Sequence, residues 1–168
     1  NKDEMAELNA SKEKVDALFT RLMGETMERW LAVAEERLKP RGTKVFITPG
    51  NDDRFIIDDV LARSEFVSNP EGKVVEVDEH HEMISMGWSN KTPWNSPRET
   101  SEEDLEKRIE AMASKVMNME NCIFNMHVPP IDTPLDPAPE LTADMKPITS
   151  GGQFVMKSAG SRAVGTRS

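Results

Sequence analysis

The chain has 168 residues, 37% hydrophobic and 30% charged, with a net charge of −9 and a single cysteine. That length and balance suit one domain with a real core; the mean hydropathy of −0.57, with no apolar run near the ~20 residues of a spanning helix, argues against a membrane protein. A sequence pI of about 4.9 argues against binding a nucleic-acid backbone, which needs a Lys/Arg surface, but not against phosphate chemistry in which metal ions bring the positive charge.

The N-terminal stretch NKDEMAELNASKEK lacks an apolar core and so does not read as a signal peptide. It begins at Asn1 rather than Met, as a processed or partial chain does. A lone cysteine, Cys122, permits no intramolecular disulfide, and the expectation is a reducing, cytoplasmic setting. Cys122 lies in the apolar run NCIFNM and reads as a packed thiol rather than a nucleophile.

Residues Ser11 to Leu38 predict one long amphipathic helix. Val15, Phe19, Leu22, Met23, Met27, Trp30, Leu31, Ala34 and Leu38 recur at three- and four-residue steps and read as its core face. Ser11 can cap the start, and Pro40 with Gly42 stops it. KVFI then predicts a short buried strand, and FIIDDVLARS a short helix or extended segment. Two strands, Val74 to Val77 and Met83 to Met86, flank a polar turn that carries His80 and His81. These histidines read as solvent-facing. Thr100 with Glu103 has capping-box spacing and predicts a helix from Glu102 to Met119. NCIFNM predicts a buried strand ending in HVPP; residues 129–147 predict a long Pro- and Asp-rich loop; QFVMKS and SRAVG predict a strand and a helix start. Asp132 and Asp136 in that loop read as lid-forming or merely solubilising. Helices alternating with short apolar strands predict an α/β fold.

In such sheets ligands gather beyond the carboxyl ends of the strands. Two turns lie there, Gly50-Asn51-Asp52-Asp53 and Asn125-Met126-His127. Asn51 offers a hard carbonyl oxygen, and neutral imidazole is the commonest nitrogen donor for transition metals. Taken alone, PGND is an ordinary turn and a His after a strand an ordinary polar end. Together, at matching strand ends, Asn51 and His127 form a candidate metal-binding pair.

GNDD resembles the Gly-Asn-His/Asp-Asp/Glu motif of the calcineurin-like metallophosphoesterases, and NMHVPP is similar to their Gly/Asn-x-His-x-Pro-Pro strand end. The order GNDD, hairpin, GWSNKTPWNSPRE, helix, NMHVPP, then LDPAPEL and KSAGSRAV, is similar to a bacterial and archaeal branch of that family, from about Lys44 to Val164. The resemblance implies a double β-sandwich flanked by helices. It implies a metal-dependent phosphohydrolase cleaving a phosphomonoester or phosphodiester by attack of a metal-bridging hydroxide, with two divalent ions such as Mn, Fe or Zn. Asn51 and His127 would be metal ligands. Asp52 would be the candidate catalytic residue, standing where many relatives carry a His that assists the leaving group, a task a carboxylate performs only when protonated. Asp53 would orient its neighbours, and Arg98 would meet substrate phosphate. The partner would be a small phosphoester, with neither a nucleic acid nor a membrane involved.

The chain also departs from the family. Asp-x-His and Gly-Asp do not occur before Asn51, and Gly-His-x-His does not follow Val164. Residues 1–168 are therefore expected to be a single domain incomplete at both ends. The alternative expectation is a ligand-poor, non-catalytic scaffold on the same fold. A dinucleotide-binding domain is a poor fit, because no Gly-rich loop joins a strand to a helix.

Overall fold

The computed structural model describes residues 11–165. The stretch Asn1 to Ala10, with most of the NKDEMAELNASKEK segment, lies outside the described residues. Helices and small sheets alternate along the chain, as an α/β reading requires. The described residues form two compact units: 11–49 with 54–69, and 50–53 with 70–165.

In the first unit, helix α1 (Lys12–Leu38) starts where Ser11 Oγ accepts the Lys14 N–H at 3.3 Å. It runs into a short 3₁₀ turn containing Pro40, as the sequence predicts. Met27 and Leu31 bury against Ile57, Val60 and Leu61 of helix α2 (Ile56–Ala62). Strand β1 (Val45–Phe46) pairs in parallel with β2 (Val67–Ser68). The expected core stripe of α1 is only half buried, since Phe19, Leu22 and Trp30 are 57%, 44% and 63% exposed. At ~100° per residue these three lie to one side of the Met27–Leu31 face. The seven-residue α2 covers the one face and does not reach the other.

The second unit is built on a three-stranded sheet. Strand β3 (Val74–Glu76) forms a hairpin with β4 (Glu82–Met86), and β4 runs parallel to β5 (Cys122–Met126). Helix α3 (Glu102–Ala113) makes the crossover. Ile84 and Met86 point to one face of the sheet and pack on Leu105, Ile109 and Met112 of α3. The capping residue is Ser101, whose Oγ accepts the Asp104 N–H at 3.1 Å, one position beyond the expected Thr100. The helix also ends at Ala113 instead of Met119. The Glu82 carboxylate takes the N–H groups of Met117 and Asn118 at 2.8 and 3.0 Å, which holds that backbone out of the helix.

β5 is not the buried strand its composition suggests. Among the described residues it pairs only with β4, so it is an edge, and Ile123 and Phe124 are 42% and 40% exposed. Cys122 is half-buried beside the core, and burial pushes its thiol pKa up, which suits a packed thiol.

The expected loop 129–147 contains strand β6 (Pro137–Pro139), which pairs antiparallel with β9 (Met156–Ser158). Between them, β7 (Thr149–Ser150) and β8 (Gln153–Phe154) form a second small hairpin. Helix α4 (Arg162–Gly165) follows, anchored to α3 where Glu102 accepts Ser161 Oγ and the Ala163 N–H at 2.8 and 2.9 Å.

Asp136 organises this region. Its side chain is buried and accepts from the N–H groups of Asp132, Ala159 and Gly160 and from Ser158 Oγ. A Cβ at position 160 would stand 2.8 Å from Asp136 Oδ1 and from the Pro129 carbonyl, so only glycine fits there. The Gly160 N–H, first among these donors, holds the Asp136 carboxyl below its ordinary pKa. A depressed folded pKa stabilises the fold above the ordinary carboxylate value of about 3.9 and ceases to do so as pH falls through the folded value. The expected outcome is that Asp136→Asn lowers Tm at neutral pH and flattens the fall of Tm below about pH 4. Parallel acid profiles for the two proteins would contradict this role.

Candidate metal centre

The Gly50–Asp53 turn and the end of β5 belong to the same unit. The turn is closed by the Asp53 N–H donating to the Gly50 carbonyl at 3.1 Å, and Asp53 Oδ2 accepts the Gly50 N–H at 2.7 Å. The Asp53 carboxylate is thus committed to shaping the turn. On the other side, the His127 N–H donates to the Met86 carbonyl at 2.9 Å, continuing the β4–β5 ladder by one residue. Val128, buried behind it, anchors the exit.

These two frames bring Asn51 and His127 together. His127 Nε2 lies 2.9 Å from Asn51 Oδ1, across 76 residues of sequence. Because an amide oxygen only accepts, Nε2 is the donor in that contact. The imidazole lies directly over Gly50: a Cβ there would stand 2.8 Å from His127 Cε1 and 3.2 Å from both ring nitrogens. Any larger residue would displace the ring. The separation of the two donor atoms also fits a shared ion. Two ligands each about 2.1 Å from one metal and at right angles lie about 3.0 Å apart. They supply two coordination positions. No group of three or more His, Cys, Asp or Glu that could hold a metal occurs among the described residues.

Asp52 sits on the same turn but is exposed, with Ser96 Oγ donating to its Oδ1 at 3.3 Å. Arg98 is buried at 2% exposure. Its N–H donates to the Asn51 carbonyl and its Nε to the Asp53 carbonyl, both at 3.0 Å. Trp94 in the same loop is exposed. His80 and His81 lie on the exposed hairpin turn, where Asp78 accepts from both N–H groups and from His81 Nδ1. Those hydrogen bonds, the His80 N–H first, bring the Asp78 carboxyl down to about 2.

One carboxylate at the site was not anticipated. Glu99 is nearly buried and takes the Thr92 and Ser96 N–H groups and the Thr92 hydroxyl, pinning the loop between them. Burial pushes its carboxyl up, but these donors outweigh that and leave the net shift downward. The signal was present in Ser96-Pro97-Arg98-Glu99, which has capping-box spacing. Beside His127 lies an apolar recess of about 570 Å³ walled by Phe124, Met126, Val128, Leu135 and Val164.

No family model matches the sequence. An uncharacterized protein of Methanocaldococcus jannaschii is 33% identical over 94 residues, which make up 55% of this chain and 40% of that protein. A solved crystal structure superposes with a TM-score of 0.63 at 17% identity, covering 97% of this chain and 60% of that one. The arrangement of elements therefore occurs in an experimentally solved fold. The chain spans less than two thirds of the length of either protein. No helix among the described residues is long and apolar enough to cross a membrane.

Proposed function

We propose that the protein is a metal-dependent phosphohydrolase, with Asn51 and His127 holding a divalent ion in a site that acts on a phosphomonoester or phosphodiester. The observation that carries this reading is the 2.9 Å approach of Asn51 Oδ1 to His127 Nε2 over Gly50. These are the two residues singled out in sequence by motifs 76 positions apart. To bind an ion, the imidazole would take its Nδ1–H tautomer and turn the Nε2 lone pair inward. Divalent ions at such a site supply positive charge to phosphate oxygens and activate water.

The chain's own residues have the remaining tasks. Gly50 leaves room for the imidazole, Asp53 fixes the turn, and the apolar recess gives the organic part of an ester a dry surface. Exposed Asp52 stands beside the pair, where a protonated carboxyl could assist a leaving oxygen. The double β-sandwich belongs to the same proposal, supported by the β3–β4–β5 sheet with α3 and α4 on one face. A dinuclear site requires further ligands beyond Asn51 and His127.

The test is elemental analysis of the purified full-length protein, followed by phosphomonoester and phosphodiester assays on the same sample with added Mn²⁺. Bound transition metal with turnover of either ester is the expected result. A protein that binds no metal and turns over neither ester would refute the reading and favour the scaffold alternative.

A further inference from the structure

We propose that Arg98 is a positioning residue for the metal ligand Asn51; this rests on the metal-centre reading above. The end of β4 sets the place of both donors. His127 is indexed to it by the hydrogen bond from its N–H to the Met86 carbonyl. Asn51 is indexed to it through Arg98: Ser89, just past β4, donates its N–H to the Arg98 carbonyl at 3.0 Å and accepts the Thr100 N–H at 2.9 Å. Arg98 then grips the turn at two points, the Asn51 carbonyl with its N–H and the Asp53 carbonyl with its Nε.

Arg98 is 2% exposed, and Glu99 locks the preceding loop to Thr92 and Ser96. A buried guanidinium whose Nε donates to the Asp53 carbonyl holds the turn in place. The Asn51 carboxamide is thereby kept at the height of the imidazole. Residues that orient metal ligands in this way are worth about 10–100-fold in metal affinity. Lysine at this position keeps the charge but has no donor where Nε stands.

The experiment is titration of full-length wild-type, Arg98→Lys, Asn51→Ala and the double variant with Mn²⁺, following the free-ion EPR signal, together with KM for a phosphodiester at saturating Mn²⁺. The expected result is a Mn²⁺ affinity about 10–100-fold weaker in Arg98→Lys, an unchanged KM, and no further loss from Arg98→Lys once Asn51 is alanine. Unchanged Mn²⁺ affinity with a raised KM would overturn the proposal in favour of a phosphate contact. An equal loss in both backgrounds would overturn it in favour of a general structural role. A wild-type protein that binds no Mn²⁺ removes the metal-centre reading, and the proposal with it, before any variant is compared. Should Arg98→Lys fail to fold, Thr92→Val loosens the same loop from Glu99 without altering Arg98. A smaller loss of Mn²⁺ affinity is then expected, and no change would overturn the proposal.

Discussion

His127→Ala is expected to lower phosphoester turnover by about 10³-fold or more while leaving the protein folded. An ion clamped on phosphate oxygens supplies several kcal/mol of transition-state stabilisation, and each 1.4 kcal/mol is about tenfold in rate. The fold should survive because the side chain is exposed and the N–H that continues the ladder to Met86 belongs to the backbone. Asn51→Ala should act in the same direction but less strongly, because a neutral amide oxygen is a weaker donor than imidazole. His81→Ala serves as the control. That imidazole sits on an exposed hairpin bonded to Asp78, and its removal should leave turnover within about twofold, since exposed changes away from a site have small effects. Steady-state kinetics with circular dichroism on the same samples decides the matter. Normal turnover in His127→Ala free of wild-type contamination would remove this residue from the site.

The second large effect is expected from a single methyl group. Gly50 is not among the glycines at positive φ, so its backbone accepts alanine without strain. The added Cβ would nevertheless fall 2.8 Å from His127 Cε1, inside van der Waals contact, and the exposed ring is the partner that can yield. As it swings away, the Nε2–Oδ1 alignment is lost. A displacement of about 1 Å at reacting groups costs about 10²-fold, so turnover should fall by about that much, with little change in Tm. A Gly50→Ala protein with full activity would show that the imidazole has no work to do where it lies. A large loss of Tm would mean that the glycine serves the fold instead.

Much of this could be read from the chain because it is written locally. Ser11 and Pro40 bound α1 through their own chemistry, a side-chain acceptor at one end and a missing donor at the other. The alternation around Val74 and Met83 predicts the hairpin. The Gly50–Asp53 turn is specified by the residues in it. What could not be read depends on distant partners. Periodicity shows that α1 carries apolar residues, but not that α2 packs on the Met27–Leu31 face and leaves Phe19 and Trp30 exposed. The apolar letters of β5 give no hint that the strand is an edge in the described residues. Helix α3 ends at Ala113, and Glu82, over thirty residues away in sequence, takes the Met117 and Asn118 N–H groups that a longer helix would have used. Arg98 reads as a contact for substrate phosphate, whereas its burial and its hydrogen bond to the Asp53 carbonyl follow from tertiary structure. Asp136 reads as lid-forming or solubilising, whereas the approach of Gly160 makes it an internal acceptor. The pairing of Asn51 with His127 is legible from donor chemistry at two strand ends, and from two short motifs that resemble one family in the right order.

The most direct measurement is anomalous diffraction at the manganese edge from crystals of the full-length protein grown with Mn²⁺. The account predicts an anomalous peak bonded to both Asn51 Oδ1 and His127 Nε2, at about 2.0–2.3 Å from each. Anomalous peaks only elsewhere in a protein that hydrolyses phosphoesters, or none at this pair under saturating Mn²⁺, would contradict it.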